Sequence, residues 1–173
     1  AKKNKTLPKI FIPVHLAGTC CDMERIYELS KIYNFYIIED ASHAIGGRYN
    51  SNFIGSCKYS NITVFSFHPV KIITTAEGGM ATTNDKDLAR KMNLLKSHGI
   101  TKNIDDFIGK DKSPWIYEQQ ILGFNYRMNE IQAALGLSQL KRLGTIVRKR
   151  NKLLRNYQNM MNDLPLSFLK IPE

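Results

Sequence analysis

The chain has 173 residues, 43% of them hydrophobic and 23% charged, with a formal net charge of +10. That is enough polypeptide for one soluble domain with a real core, and no apolar run approaches the ~20 residues that a membrane-spanning helix needs. The basic start, Ala1-Lys2-Lys3-Asn4-Lys5, leads into Leu7-Pro8-Lys9 without the apolar region of a secretory signal, and a first residue other than Met suggests a reading frame that begins upstream.

Lys9 to Val14 reads as a short buried strand carrying Ile10, Phe11, Ile12 and Val14. Asp22 caps a helix in which Met23, Ile26, Leu29, Ile32 and Tyr33 recur at helical spacing. The apolar run Phe35-Tyr36-Ile37-Ile38 stops at Glu39-Asp40. Strand, helix and strand at this spacing make a βαβ unit, whose parallel strands are buried on both faces. Asn61 to Phe67 reads as another strand and Gly79 to Thr83 as one more, ending at Asn84-Asp85. Asp85 or a near neighbour caps a helix with Leu88, Met92 and Leu95, which ends near His98-Gly99 with glycine in a C-cap role. From Ile100 to Gln120 the pattern is polar, with Gly109 and Pro114, and predicts a long loop. Asn129 followed by Gln132 resembles a capping box. A helical pattern then runs through Ile131, Leu135, Leu140, Leu143, Val147 and Leu154 to about Met161, with Gly136 and Gly144 weakening or bending it and Pro165 closing it.

Three cysteines, Cys20 and Cys21 adjacent and Cys57 apart, offer neither a disulfide framework nor metal-ligand spacing. They read as reduced thiols in a cytoplasmic protein. The positive charge is concentrated at Lys2 to Lys9 and from Lys141 through Arg155, without interleaved aromatics. These stretches read as solvated faces and a tail, with a nucleic-acid-binding module as the alternative.

Ligands of open parallel sheets bind beyond the carboxyl ends of the strands. Asp40 and Ser66 both fall at such ends. Lys71 follows Ser66 across Pro69, which discourages a regular helix between them. A buried lysine has its pKa lowered and can form a Schiff base. A carboxylate against a pyridine nitrogen keeps that nitrogen protonated, so that pyridoxal phosphate (PLP) acts as an electron sink, and a serine hydroxyl nearby is a natural phosphate donor. Singly, each residue has a plainer reading: Lys71 as a surface lysine, Asp40 as a turn former or cap, His43 and His68 as partly buried histidines, His98 as a helix-end residue favoured by the dipole. Their combination points to a PLP site.

The runs Ile38-Glu39-Asp40-Ala41-Ser42-His43-Ala44, Phe65-Ser66-Phe67-His68-Pro69-Val70-Lys71, Thr74-Thr75-Ala76-Glu77-Gly78-Gly79-Met80 and Gly123-Phe124-Asn125-Tyr126-Arg127-Met128 resemble the DegT/StrS-type nucleotide-sugar aminotransferases. That resemblance implies a three-layer α/β PLP-dependent transferase of fold type I, aspartate-aminotransferase-like. It implies that Lys71 forms the Schiff base with the cofactor and shuttles protons, that Asp40 pairs with the pyridine nitrogen and that Ser66 contacts the phosphate. Asn125 would reach the phosphate of the neighbouring subunit's cofactor, making a homodimer with shared sites. His43 stands where many relatives have glutamine near the ring hydroxyl. Some sugar dehydratases of the superfamily carry histidine in place of the lysine, so Lys71 implies amino transfer. The His-Pro-Val-Lys and Thr-Thr-Ala-Glu-Gly-Gly wording is similar to members that aminate C4 of a UDP-linked 4-keto-6-deoxy-N-acetylhexosamine, as in the pseudaminic acid pathway, with glutamate as amino donor.

Members of the family are considerably longer than this chain. The expected organisation is therefore a partial large domain over 1–128, a long connecting helix over 129–164 and the start of a truncated small domain over 165–173. A small-residue loop for the cofactor phosphate and a ring-stacking aromatic have no counterpart before Lys9. A split or degenerate remnant without catalysis of its own is thus a second reading of the chain.

Overall fold

The computed structural model describes residues 6–169; positions 1–5, and 170–173 of the expected 165–173 segment, lie outside the described residues. The described residues form two units, one running to Asn84 and resuming at Glu130, the other from Asp85 to Asn129.

The first unit is built on a βαβ start. Strand β1 (Ile10–Phe11) leads to helix α1 (Met23–Tyr33) and strand β2 (Tyr36–Asp40), and β1 pairs with β2 in parallel, Ile10 opposite Tyr36. Asp22 caps α1 as the sequence predicts, its carboxylate accepting from the Arg25 N–H at 3.2 Å. Asn34, at φ 52°, ends the helix in the left-handed region. A short antiparallel pair, β3 (Arg48–Tyr49) and β4 (Asn52–Phe53), precedes β5 (Ile62–Ser66) and β6 (Gly79–Thr82). The main sheet has the order β1-β2-β5-β6. β5 is parallel to β2, with Asp40 opposite Val64. β6 returns antiparallel, with Ser66 opposite Gly79, because the connection from 67 to 78 is a loop rather than a crossover helix.

One expectation is corrected here. The Lys9–Val14 stretch is not a buried strand: only Ile10–Phe11 is extended in the sheet, with an isolated bridge from Val14 to Asp40. Ile10, Phe11, Ile12 and Val14 are between 41% and 57% exposed. Among the described residues this segment is the edge of the sheet, and Pro13 has no N–H to extend the ladder. The buried side chains belong instead to Met23, Ile37, Ala41, Ala44, Ile54, Phe65, Phe67 and Ile73.

The expected single long helix is two: α3 (Glu130–Leu140) and α4 (Leu143–Met160). The break is at Lys141-Arg142, where the bonds from Arg142 N to Gln139 O (2.9 Å) and from Thr145 N to Arg142 O (3.0 Å) tighten the turn. α3 runs through Gly136 without a break. The glycine is a contact position, since a Cβ there would stand 2.8 Å from Thr75 Cγ2. α4 packs on the turn after β2, with Val147 and Leu143 against Gly46.

In the second unit α2 (Lys86–Lys96) is capped by Asp85, whose carboxylate accepts from the N–H groups of Asp87 and Leu88 at 2.8 and 3.0 Å. Gly99 follows at φ 69°, its N–H bonded to Leu94 O at 2.8 Å. The glycine is required twice over, because a Cβ would also collide with the Ile121 carbonyl. The expected loop from Ile100 to Gln120 is more ordered than its composition suggests. β7 (Ile100–Thr101) pairs antiparallel with β8 (Glu118–Gln119). The Glu118 carboxylate gathers the N–H groups of Ile108 and Gly109 at 2.7 and 2.8 Å, and Arg90 meets Asp106 at 2.6 Å. Polar tethers of this kind leave no hydrophobic period for a sequence reading to find.

Candidate active site

Asp40 is the last residue of β2. Its main chain is held on both flanks: Asp40 N–H donates to Pro13 O at 2.9 Å, and Asp40 O accepts from His15 N–H at 3.0 Å. On the other side Ala41 N–H donates to Val64 O at 2.8 Å. The half-buried carboxylate accepts the Ser42 N–H at 3.1 Å. Hydrogen bonding from the Ser42 side chain and backbone, aided by the nearby charges of His43 and Lys71, outweighs desolvation and holds Asp40 below the usual carboxylate range. It is an anion beside a lysine.

Ser66 ends β5, two residues beyond Val64, at the same end of the sheet. Its Oγ accepts the His68 N–H at 3.4 Å, which leaves its own O–H to donate. The chain then turns, with the Lys71 N–H donating to His68 O at 2.9 Å. Lys71 is half-buried rather than buried, and His68 is exposed rather than partly buried; both sit on a loop past the sheet end, where only one side is covered by protein. His43 is half-buried, and its Nδ1 accepts the Ala17 N–H at 3.3 Å. With Nδ1 accepting, Nε2 is the ring nitrogen that offers an N–H.

The loop that carries Lys71 is tied down beyond it. Thr74 Oγ1 and the Thr75 N–H both donate to Phe67 O, at 2.8 and 3.0 Å, and Thr75 Oγ1 donates to Glu77 O at 2.8 Å. From α3, Gln139 Oε1 accepts the Thr74 N–H at 3.0 Å, and Gly136 admits Thr75, which is 1% exposed. Asp40, His43, Ser66 and Lys71 thus belong to one unit, on strand ends and loops at the carboxyl end of β2 and β5. Asn125 belongs to the other unit. It is exposed there, bridged to Ser97 and flanked by Phe124 and Tyr126, whose rings stack at 5.0 Å.

Sequence reasoning missed the supports of this site. Gln139 gave no signal, being a polar residue on a helix. Glu39 could have been noticed: a strand that alternates around Ile37 turns Glu39 inward with it, and an inward carboxylate needs partners, though the strand does not name His15 as one.

The anionic Asp40 and the Ser66 hydroxyl suit a ligand with a protonated ring nitrogen and an anionic group, and the Lys71 turn offers an amine beside them. Comparison with known proteins agrees. The model of the DegT/DnrJ/EryC1/StrS aminotransferase family matches residues 3–173. A GDP-perosamine synthase of Caulobacter vibrioides is 42% identical over 153 residues, 88% of this chain and 38% of its own length. A UDP-4-amino-4,6-dideoxy-N-acetyl-beta-L-altrosamine transaminase of Helicobacter pylori is 40% identical over 157 residues, 91% of this chain and 39% of its own. A Streptococcus pneumoniae protein described as a sugar aminotransferase, solved in its PLP form, superposes with a TM-score of 0.74 at 30% identity, over 89% of this chain and 41% of that one. The chain therefore spans about 40% of the length of the relatives it matches. With the motifs around Asp40, Lys71 and Asn125 in order and the family model matched from residue 3 to residue 173, the chain belongs to the DegT/DnrJ/EryC1/StrS aminotransferase family.

Proposed function

We propose that the protein to which this chain belongs is a PLP-dependent aminotransferase that moves an amino group from glutamate to the 4-keto group of a nucleotide sugar. The observation that carries the reading is the Asp40 carboxylate at the end of β2, at the same end of the sheet as Ser66 and held below its ordinary range by Ser42 with help from the nearby Lys71. PLP fits these residues: Asp40 would hold the protonated pyridine nitrogen, Ser66 Oγ would donate to the phosphate, and His43 Nε2–H would donate to the ring hydroxyl oxygen. When bound, the cofactor supplies an electron sink for bond breaking next to the transferred nitrogen. Lys71 would supply a primary amine able to bond to the cofactor, and its Nζ would hold and pass a proton. Asn125 would reach the cofactor phosphate of a second subunit, so the active protein is a homodimer.

The UDP-linked 6-deoxy-N-acetylhexosamine is favoured by the name of the Helicobacter relative, while the Caulobacter relative is named for a GDP sugar. In the same reading 1–128 is part of the large domain, 129–164 the helical connection and 165–173 the beginning of a smaller domain. The test is direct. The intact protein with added PLP should develop a visible absorption band, and borohydride should fix the cofactor covalently on Lys71, located by peptide mass spectrometry. Amino transfer is then assayed with glutamate and UDP- or GDP-linked 4-keto sugars. A Lys71→Ala variant that retains full amino transfer would sink the reading.

A further inference from the structure

Glu39 and Asp40 are consecutive on β2, so the pleat sends their side chains to opposite faces of the sheet. Asp40 looks outward and half-buried, while Glu39 is 5% exposed. A carboxylate so placed is costly unless its lone pairs are occupied. They are. Oε2 accepts from His15 Nε2 at 2.8 Å, and Oε1 accepts from Thr63 Oγ1 at 2.9 Å and from Ser60 Oγ. His15 is fully buried, at 0% exposure. Its Nδ1 accepts the Cys21 N–H at 3.3 Å, which places the ring proton on the nitrogen facing Glu39.

His15 meets β2 twice. Its side chain bonds the Glu39 carboxylate, and its backbone N–H donates to Asp40 O at 3.0 Å. The segment's other ties to β2 are backbone bonds, among them Asp40 N–H to Pro13 O at 2.9 Å, while its apolar side chains Ile12, Val14 and Leu16 are 57%, 48% and 61% exposed. The imidazole is an inward anchor of the backbone that flanks Asp40 on that side. Thr63 and Ser60, bonded to the same carboxylate, tie in the β5 side.

We propose that His15, through its bond to Glu39, is a positioning residue for Asp40, fixing the end of β2 so that the outward carboxylate is held for the ring nitrogen of the cofactor. The proposal rests on the reading of Asp40 given above. It assigns a site role to a buried pair that chemistry at the cofactor does not itself require.

The experiment is a double-mutant cycle on PLP binding to the intact protein, with dissociation constants and the visible spectrum measured for wild type, His15→Ala, Asp40→Asn and the pair. Ile37→Ala, a buried neighbour on the same face of β2, serves as the control for general destabilisation. His15→Ala should weaken PLP about tenfold, the lower end of losses seen when the partner orienting a liganding group is removed. It should also move the visible band in the direction that Asp40→Asn moves it, while Ile37→Ala moves neither. In the Asp40→Asn background the His15 substitution should add little, the non-additivity of two residues acting through one contact. Fully additive losses, or wild-type binding by His15→Ala, overturn the proposal. Should His15→Ala fail to fold, Glu39→Gln enters the same cycle with the same two outcomes, since it keeps the side-chain bulk and removes one acceptor oxygen. An Asp40→Asn protein that binds PLP as wild type does would instead remove the assignment of Asp40, and this proposal with it, a result distinct from failure at His15 alone.

Discussion

At the scale of single residues, two carboxylates, Glu39 and Asp40, and the Cys20 thiol show how burial and hydrogen bonding set the electrostatics of the first unit. Burial pushes the Glu39 carboxyl up, but hydrogen bonds from His15, Ser60 and Thr63 outweigh it, and Glu39 sits below its ordinary range. Its negative charge in turn adds to burial, the largest cause, in pushing the Cys20 thiol up to about 12. Cys20 is accordingly a packing residue, and reduced thiols at this position are inert at neutral pH. The sign for Glu39 follows from linkage. A carboxyl depressed in the folded state contributes stability at pH values above its unfolded range and loses it as pH falls through the folded value. Urea midpoints of the intact protein should therefore fall steeply on acidification through and below the ordinary glutamate range. Glu39→Gln should start lower at neutral pH and show a flatter acid limb; parallel limbs for the two proteins would contradict this. Lys71 and Asp40 were legible in the sequence because a lysine and an aspartate at strand ends, with Ser66 between them, form a pattern in the chain. His15 was not, because its partner lies 24 residues away and on the other face of the strand that carries Asp40.

At the scale of elements, capping was the most legible feature. Asp22 and Asp85 both cap the helices they precede, by bonds to the N–H groups two or three residues on. Asp85→Ala should cost about 1 kcal/mol, the usual value of a side-chain N-cap, seen as a fall in thermal midpoint that Asp85→Asn largely spares. The helix break at Lys141-Arg142 was not legible. Gly136 and Gly144 both invited it, and only the structure separates them: α3 runs through Gly136 because the missing side chain is needed against Thr75, whereas the chain tightens just before Gly144. The edge strand was misread for a related reason. An apolar run such as Ile10-Phe11-Ile12 signals a strand, but which faces are covered depends on neighbours that the run cannot name. The antiparallel return of β6 likewise depends on how the loop after Lys71 is tied to Phe67.

At the scale of the whole molecule, α3 and α4 bury no residue completely, and Ile131, Leu137, Met160 and Tyr157 are between 53% and 83% exposed. Apolar helix faces of this extent mark surfaces that meet further protein. The shared-site reading of Asn125 makes a specific forecast. Intact Lys71→Ala and Asn125→Ala proteins should each be impaired in amino transfer. Mixed and allowed to exchange subunits, they should recover part of the activity, because a heterodimer concentrates both lesions in one site and leaves the other whole. No recovery in a mixture proven to exchange would place Asn125 in its own subunit's site. Charge alone carries a weaker message at this scale, since the +10 of this chain is concentrated in stretches whose partners decide its meaning.

The sequence by itself determined the residue types and their order along the chain: an aspartate and a serine at strand ends, a lysine in a turn where proline discourages a helix, helix caps at Asp22 and Asp85, and the family these features mark. Such features are local, set by residue type and spacing. Only the tertiary structure decided how that chemistry is supported. It turned Glu39 inward onto His15, clamped the lysine loop against Gln139 and Gly136, broke the long helix and left β1 at an open edge. Each of these is a contact between segments far apart in sequence, where burial and hydrogen-bond satisfaction, rather than local propensity, select the arrangement.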